Sequence, residues 1–447
     1  MVKTRQSTRA STTSNIHTVI ETIVSVTASE PPKKRVKVVQ TSPKSDELPT
    51  GKIKETRKPR GQKGEIDPSQ FLPRVESHWK VGAYVSAAGG VENAVTNAAS
   101  IGANAFALFL KSQRKWESPP LNQECIVEFK KRMKEYGYDN RMVLPHGSCL
   151  INLGNPDTDK REKSYVCFLD DLKRCEALDL ELYNFHPGST VGETSVDTSL
   201  GLIADCINRA HKETNTVIIV LENMAGAGNI IGSDFAHLAG IIKLVDDKSR
   251  VGVCLDTCKQ LPSFLISKAT TFEPTKAGIT KFDELVGLKY LCGMHLNDSK
   301  TGYNSKKDRH ENIGLGHLGL LSFLHILQDP RTQNIPLILE TPSFEQAKEV
   351  WGTEIAVLQR VSAGEAGRHD DTSIERGTVN LDALIEELKK SALKGAENDK
   401  KSARSKAVGK VAKAGNTKAT GKGSKRKRKI SGDEQEDPAT DDEERSG

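Results

Sequence analysis

Short apolar runs alternate with amphipathic segments along most of the chain, beginning at Val81. The runs have the length of strands and are apolar at consecutive positions, which is the pattern of strands buried on both faces of a parallel sheet. The predicted strands are Val81–Ser86, Ala105–Leu110, Met142–His146, Leu182–His186, Val217–Glu222, Val251–Asp256, Tyr290–His295 and Pro336–Glu340.

The segments between these strands carry apolar residues at the spacing of helices that pack one face on a sheet. Eight strands that alternate with helices match a closed barrel better than an open sheet with a separate second domain. The predicted fold is an α/β (β/α)8 TIM barrel over residues 74–362. The predicted helices are Val91–Ser100, Gln123–Glu135, Glu162–Ala177, Leu200–Glu213, Asp234–Val245, Leu318–Leu327 and Phe344–Val361, with Leu381–Leu393 in a linker of residues 363–393.

The two ends of the chain differ from the barrel in composition and charge. Residues 1–73 have few large apolar side chains, and the first 64 residues carry 14 Lys and Arg against 5 Asp and Glu. Residues 394–432 carry 14 against 2, and the acidic tail 433–447 carries 1 against 8. Such segments cannot bury enough apolar surface to fold alone, so we predict disordered basic extensions at both ends.

Cysteine usage and targeting signals indicate the compartment. The 8 cysteines form no CxxC pair and mostly lie in apolar runs, as free thiols do in a reducing compartment. No apolar run reaches the roughly 20 residues of a membrane helix, so no membrane partner is expected. The basic cluster Pro31–Lys37 resembles a nuclear import signal, and the Ser/Thr-rich start with Lys3, Arg5 and Arg9 is compatible with a mitochondrial presequence. The predicted location is the nucleus, with the mitochondrion as a further one.

Side chains that bind metals stand at the ends of six predicted strands. The densest set lies between Leu291 and His310, where a buried strand ends in His295 and a loop carries Asp308 and His310. All strands of a barrel point the same way, so their carboxyl ends meet at one mouth. The six strand-end residues are His146, His186, Glu222, Asp256, His295 and Glu340.

A single polar residue is an ordinary strand end, but six at successive strands indicate a site. Histidine and carboxylate ligands without a thiolate suit Zn, Mn or Fe in hydrolytic or isomerase chemistry. One shared carboxylate and several histidines can hold two metal ions roughly 3.5–4 Å apart, which stabilises the attacking and leaving oxygens of a phosphoryl displacement. The residues alone therefore indicate a multinuclear metal enzyme and favour phosphodiester hydrolysis.

The strand ends lie within short motifs that occur in one order from about Trp79 to Leu358. Together they resemble the endonuclease IV family of apurinic/apyrimidinic endonucleases, in its fungal type. The motifs are Gly82–Gly90 (GAYVSAAGG), Leu144–Gly147 (LPHG), Asn184–Ser189 (NFHPGS), Leu221–Gly226 (LENMAG), Gly252–Cys258 (GVCLDTC), Met294–Lys300 (MHLNDSK), Asp308–His310 (DRH) and Leu339–Pro342 (LETP).

The resemblance implies a zinc-dependent hydrolase of base excision repair. Such an enzyme cuts the phosphodiester 5′ to an abasic site, leaving a 3′-hydroxyl and a 5′-deoxyribose phosphate, and trims blocked 3′ ends. Its partner would be double-stranded DNA with abasic sites or blocked 3′ ends, bound by a monomer.

The resemblance also implies three zinc ions. His146, His186 and Glu222 would hold the first, and the second would be held by Glu222, Asp256, His295 and Glu340. Glu222 and a metal-bound hydroxide would bridge the two, and because two cations depress the pKa of that hydroxide, no separate general base is needed. Asp308 and His310 would hold a third zinc that neutralises the leaving 3′-oxygen.

This chain departs from the family at three positions near the site. Lys259 stands where the family has the histidine of Asp-Thr-Cys-His, and no histidine between Asp256 and His295 replaces it. A protonated lysine cannot ligate zinc. Three interpretations stay open: a weakened third metal site, an ammonium that substitutes for the metal's charge, or a mistaken gene model over residues 259–277. The abrupt, confined divergence favours the last. Tyr84 replaces a near-site histidine of the family, and Cys149 replaces a DNA-entering tyrosine.

Arg114 matches the family residue that wedges into the duplex as the abasic nucleotide swings out. An abasic nucleotide has no base to stack or pair, so its extrusion costs least, and the basic ends of the chain would add salt-sensitive phosphate contacts. Two other functions are open. Lys259 would suit a damage-binding protein that has lost turnover, and a metal-dependent sugar isomerase shares the barrel and the ligand types, although a small sugar needs neither Arg114 nor basic extensions.

Overall fold

The computed structural model of the chain describes residues 67–259, 274–302, 305–342, 346–363 and 380–416. All of them belong to the unit that spans Gln62–Gly447. The predicted disorder of most of the N-terminal arm and of the acidic tail lies outside the described residues, as does the basic cluster Pro31–Lys37.

Seven parallel strands form one sheet whose order follows the chain around a ring. The first strand β1 pairs with β2 on one side and with the last strand β9 on the other, so the ring closes at that point. The strands are β1 Lys80–Tyr84, β2 Ala105–Ala107, β3 Leu182–Phe185, β4 Ile218–Glu222, β5 Val251–Asp256, β6 Leu291–Leu296 and β9 Pro336–Leu339, and the short pair β7 Asp298–Ser299 and β8 His310–Glu311 lies outside the ring.

The eighth position of the ring is filled by an irregular segment. The predicted strand Met142–His146 is instead a 3-10 turn, Asn140–Met142, followed by single bridges from Val143 to β2 and from His146 to β3. Pro145 explains the interruption, because proline has no N–H to donate to the ladder. With these bridges the structure confirms the predicted (β/α)8 barrel.

Helices cover the outside of the ring and agree with most predicted positions. Two begin earlier than predicted, because Asp157 and Ser195 cap them one turn before the apolar pattern starts. A helix at Pro274–Leu285 was not predicted. The predicted start at Phe344 lies outside the described residues, and the helix that follows begins at Val350. The helices are α1 Glu92–Ser100, α2 Gln123–Glu135, α3 Thr158–Ala177, α4 Val196–Glu213, α5 Phe235–Leu244, α6 Pro274–Leu285, α7 Gly319–Ile326, α8 Val350–Ser362 and α9 Leu381–Asn416.

The last helix extends into the segment that was predicted to be a disordered Lys-rich tail. Helix α9 packs on α8, buries Leu384 and Leu388, and continues to Asn416 rather than ending at Leu393. Lys394 pairs with Glu349 at 2.8 Å, which holds the segment beyond the predicted end against the barrel. Ala, Lys and Glu are strong helix formers, so a sequence too polar for a core still continues a helix that has a packed start.

The interior of the barrel is apolar, and its chemistry lies at one end. Fully buried side chains such as Phe106, Leu144, Tyr183 and Phe185 fill the space within and around the strands. All 8 cysteines are free thiols. None of the described helices combines the length and the apolar character that a membrane crossing requires.

Candidate metal centre

The predicted ligands converge at the carboxyl end of the barrel. Glu222 and Asp256 are the last residues of β4 and β5, and His295 is the second-last residue of β6. His186 directly follows β3, and Glu340 directly follows β9. Parallel strands therefore deliver these side chains to one mouth, as the barrel topology requires.

The first group of ligand atoms comprises His146, His186 and Glu222. Nε2 of His146 lies 3.1 Å from Oε2 of Glu222, and Nε2 of His186 lies 3.5 Å from Oε1. Glu222 is fully buried, so its charge requires a partner. Burial, followed by the charge of Lys259, lowers the pKa of His186, and a neutral imidazole is the form that binds a metal.

The second group shares Glu222 with the first and adds Asp256, His295 and Glu340. Nδ1 of the fully buried His295 lies 3.3 Å from Oε1 of Glu222 and 3.1 Å from Oε2 of Glu340. Neither ring nitrogen of His295 makes a well-aligned hydrogen bond with any described side chain, although both are inaccessible to water. A buried nitrogen that faces two carboxylate oxygens without such a bond suits a shared cation, so this group fits a divalent metal ion.

The third group differs from the prediction, because it contains a thiol. Cys258 joins Asp308 and His310 in a set whose ligand atoms lie within 4.8 Å of one another. Burial, and then the Asp256 carboxylate, raise the pKa of the Cys258 thiol to about 11. Nε2 of His310 lies 2.9 Å from Oδ1 of Asp308, so these two ligands are already paired. The residue after Cys258 is Lys259 rather than a histidine, and its ammonium determines the net charge near this group.

Lys259 lies among the ligands, with its side chain only 3% exposed. Its Nζ lies 2.5 Å from Oε1 of Glu222 and 3.2 Å from Nε2 of His186. Oδ2 of Asp256 and Oδ2 of Asp308 are each 3.5 Å away. Burial by itself lowers the pKa of this ammonium, but the facing carboxylates outweigh burial and hold the pKa well above its usual value. Lys259 is thus a buried cation inside the centre.

Mutual charge also sets the ionisation of the ligands. Burial raises the pKa of Glu340, but His295 and His310 outweigh burial and lower it to about 2. Burial lowers the pKa of His310, but Asp256 and Asp308 outweigh burial and raise it to about 12. The carboxylates are therefore ionised at neutral pH and attract positive charge. Protonated histidines supply that charge when no metal ion is bound.

Two asparagines that were not predicted as site residues orient the carboxylates. Nδ2 of Asn184 donates to Oε2 of Glu222 at 2.6 Å. Nδ2 of Asn297 donates to Oδ2 of Asp256 at 3.1 Å and to Oε2 of Glu340 at 3.2 Å. Each asparagine stands two residues from a predicted histidine, so the period of a strand places it on the ligand face. That period was the sequence signal that could have revealed them.

Arg114 lies outside the three ligand groups, exposed on the loop that follows β2. It lines a groove of about 740 Å³ together with Tyr84, Phe109 and Lys111. The Tyr84 ring in turn lies 6.3 Å from the His146 ring, so the groove borders the metal centre. Cys149, the other departure from the family, is exposed.

The loop that carries Arg114 is anchored by a second buried lysine. Nζ of Lys111 lies 2.7 Å from Asp170 Oδ2, 3.2 Å from Asp171 Oδ1 and 2.7 Å from the carbonyl oxygen of Cys167. Arg174 donates to the carbonyl oxygen of Pro119 at 2.7 Å, near the other end of the loop. Both ends are thus tied to helix α3, while the tip with Arg114 projects outward.

Comparisons of sequence and structure show which known proteins the chain is similar to. The xylose isomerase-like TIM-barrel family matches residues 95–361. Apurinic-apyrimidinic endonuclease 1 of Plasmodium berghei is 52% identical over 285 residues, 64% of this chain and 56% of that protein. Probable endonuclease 4 of Chlorobium phaeovibrioides is 50% identical over 270 residues, 60% of this chain and 96% of that protein. The crystal structure of endonuclease IV from Thermus thermophilus has a TM-score of 0.53 and 27% identity, and the match covers 63% of this chain and 98% of that chain.

The extent of these matches limits them to the barrel. The chain spans about half the length of its Plasmodium relatives, 56% of one and 47% of the other, but nearly all of the bacterial proteins. The predicted family is confirmed, and the fungal subtype stays a prediction. The chain belongs to the endonuclease IV family, within the xylose isomerase-like TIM barrels.

Proposed function

We propose that this protein is a zinc-dependent endonuclease that cleaves the phosphodiester 5′ to abasic sites in double-stranded DNA, leaving a 3′-hydroxyl and a 5′-deoxyribose phosphate. The observation that carries the proposal is the position of Glu222. Its Oε2 faces His146 of the first ligand group, and its Oε1 faces His295 of the second. A carboxylate shared by two ligand groups is how a protein holds two metal ions at the spacing of phosphodiester hydrolysis.

We choose zinc because the first two groups consist of imidazole and carboxylate ligands, and the ligand atoms within each group lie within 4.8 Å of one another. His146, His186 and Glu222 would hold one ion, and Glu222, Asp256, His295 and Glu340 another. Zinc bound there would supply an activated water and neutralise charge on the phosphate. Asn184 and Asn297 hold the carboxylates in place, and such supporting hydrogen bonds typically contribute about 10–100-fold in metal affinity or activity.

Recognition of the lesion would come from the groove beside the centre. The exposed guanidinium of Arg114 would enter the duplex, and the anchored loop would keep it there while the abasic nucleotide is displaced. Displacement costs least where no base must be unstacked, which selects the abasic site over intact DNA. The same centre would also trim blocked 3′ ends, since removal of a 3′-phosphate breaks the same type of bond, between phosphorus and a 3′-oxygen. We propose a monomer that acts in the nucleus, with the mitochondrion as a further location.

The test uses a duplex with a single tetrahydrofuran abasic analogue. The zinc-loaded protein is expected to nick the lesion strand on its 5′ side and to leave an undamaged duplex intact. A duplex with a 3′-phosphate at a nick tests trimming. Treatment with a chelator should abolish nicking, and added zinc should restore it.

Paired variants connect the nicking to the centre. Glu222→Gln is expected to reduce nicking by at least about 1,000-fold, because loss of the shared carboxylate removes several kcal/mol of metal-derived stabilisation of the transition state. Glu193→Gln, a change at an exposed glutamate, should nick like the wild type. Tight binding to the abasic duplex without nicking by the zinc-loaded wild type would overturn the proposal. It would favour a damage-binding protein that has lost turnover because of Lys259.

A further inference from the structure

Lys259 contacts a member of every ligand group. Its Nζ is in hydrogen-bond distance of His186 and Glu222 in the first group, and Glu222 also belongs to the second. It lies 3.5 Å from Asp308 of the third group. Because an imidazole nitrogen has one lone pair, zinc bound to His186 would replace that contact of the ammonium and leave it beside Asp256 and Asp308.

The third group offers a metal ion three protein ligands only if the Cys258 thiol takes part. Asp308 and His310 face each other at 2.9 Å, and the remaining member is the buried Cys258, whose Sγ lies 3.7 Å from the carbonyl oxygen of Arg309. A metal held only by Asp308 and His310 would have two protein ligands, whereas zinc sites use at least three. The set therefore does not fit a third ion unless Cys258 joins it.

The charges of the centre support the same conclusion. Glu222, Asp256, Asp308 and Glu340 contribute four negative charges, and two divalent cations balance them. The Lys259 ammonium then brings the net charge to one positive before a hydroxide or an anionic phosphate is added. A third divalent cation would bring the net charge to three positive in a buried space, where unbalanced charge is costly.

We propose that the Lys259 ammonium takes the place of a third metal ion, so that the centre holds two divalent cations and one fixed organic cation. The inference rests on the proposed function, since it specifies how that site is loaded. During hydrolysis the ammonium would donate a charge-assisted hydrogen bond to a phosphate oxygen beside Asp308 and keep its proton. Lys259 is then a catalytic residue rather than a defect of the site.

The first experiment counts metal ions by native mass spectrometry after zinc loading and removal of loose metal. The wild type is expected to hold two zinc ions per chain, and Lys259→His to hold three, because imidazole completes a set with Asp308 and His310. Three zinc ions in the wild type would overturn the proposal. Should Cys258→Ser then reduce three to two, the third ion belongs to the Cys258 thiol.

The second experiment uses the wild type alone and so does not depend on the folding of a variant. Amines are labelled with acetic anhydride and mapped by mass spectrometry, with and without zinc. Lys259 is expected to stay unlabelled in both states, while the exposed Lys115 is labelled in both. Labelling of Lys259 only after zinc loading would show that metal ions expel the ammonium, which overturns the proposal.

These readouts separate the inference from the proposed function. Two bound zinc ions and a protected Lys259 without nicking would overturn the endonuclease function and leave the loading of the centre as stated. Robust nicking by a protein with three zinc ions would leave the endonuclease function intact and overturn the role of Lys259.

Discussion

Two lysines in the part of the chain that the structure describes have buried side chains and differ in what surrounds them. Lys111 and Lys259 each have side chains only 3% exposed and each pair with more than one carboxylate. Lys111 also donates to a backbone carbonyl, that of Cys167, and its carboxylates lie on one helix, α3. Lys259 contacts an imidazole, and its carboxylates come from two different strands and a loop.

The difference separates an anchor from a member of a reactive centre. Burial raises the pKa of Asp171 to about 6 although Lys111 and Tyr183 oppose that shift, and the Lys111–Asp171 pair anchors the Arg114 loop to helix α3. Near Lys111 the second carboxylate, Asp170, also pairs with Arg174 at 2.9 Å. Three carboxylates face the Lys259 ammonium, so additional cations are attracted there. A buried lysine therefore indicates function only when the carboxylates around it exceed what one positive charge can balance.

The largest expected effect is on the anchor. Lys111→Met should reduce the free energy of unfolding by about 3–5 kcal/mol at pH 8, because it leaves Asp171 buried without its cation. The loss should shrink towards pH 5, where Asp171 takes up a proton. Urea unfolding at the two pH values measures it. Lys130→Met breaks a more exposed pair with Asp179 and should cost less than about 1 kcal/mol. Equal losses in the two variants would contradict the anchoring role.

The next effect distinguishes the two lysines directly. Lys259→Met should cost about 3 kcal/mol in chelator-treated protein, because Glu222 and Asp256 lose their cation, and much less in zinc-loaded protein. The cost of Lys111→Met should be the same with and without zinc. Thermal unfolding of both variants in both states is the measurement. If the cost of Lys259→Met does not depend on zinc, the contrast between the two lysines is lost.

A third prediction concerns Glu354, a buried glutamate that supports the rim of the centre. It accepts hydrogen bonds from Thr341, next to Glu340, and from Asn312, near His310. Burial raises its pKa to about 7, so the folded state favours its neutral form. The stabilisation that the neutral Glu354 side chain gives the folded state is fully present below about pH 4.5 and is lost as the pH rises through about 7.

Glu354→Gln removes this dependence on pH. Relative to the wild type, the variant should gain up to about 3 kcal/mol in the free energy of unfolding between pH 5 and pH 8. Urea unfolding across this range tests the sign. A constant difference between the two proteins would show that Glu354 does not titrate with a raised pKa.

The smallest expected effect is on recognition of DNA. Arg114→Ala should weaken binding to the abasic duplex by about 10–30-fold, equal to about 2 kcal/mol, because an anchoring arginine is lost from the interface. Lys115→Ala, a change at the neighbouring exposed residue, should lose only a general phosphate contact, which added salt would mask. Fluorescence anisotropy with abasic and intact duplexes gives both Kd values. Equal losses for both variants would remove the wedge role of Arg114.

Individual elements show how much of the fold could be predicted from the sequence. Helix α2 and strand β5 have their predicted bounds, because each has an unbroken period and a clear end. The prediction of a strand around Pro145 was wrong, because local composition does not show that the segment makes only single bridges to its neighbours. The predicted end of α9 was too early, because local composition does not show that the start of the helix is packed. The predicted ligands were brought together because strand direction alone determines where strand ends meet.

The sequence by itself determined the barrel, the strand-end ligands and the substitution at Lys259. The tertiary structure decided where that lysine points, which thiol joins the third group, and which asparagines hold the carboxylates. The physical reason is that period and strand direction are properties of a chain read in order. The position of a charge depends on groups that are distant in sequence, since Lys259 meets His186 and Glu222 only after β3, β4 and β5 have paired.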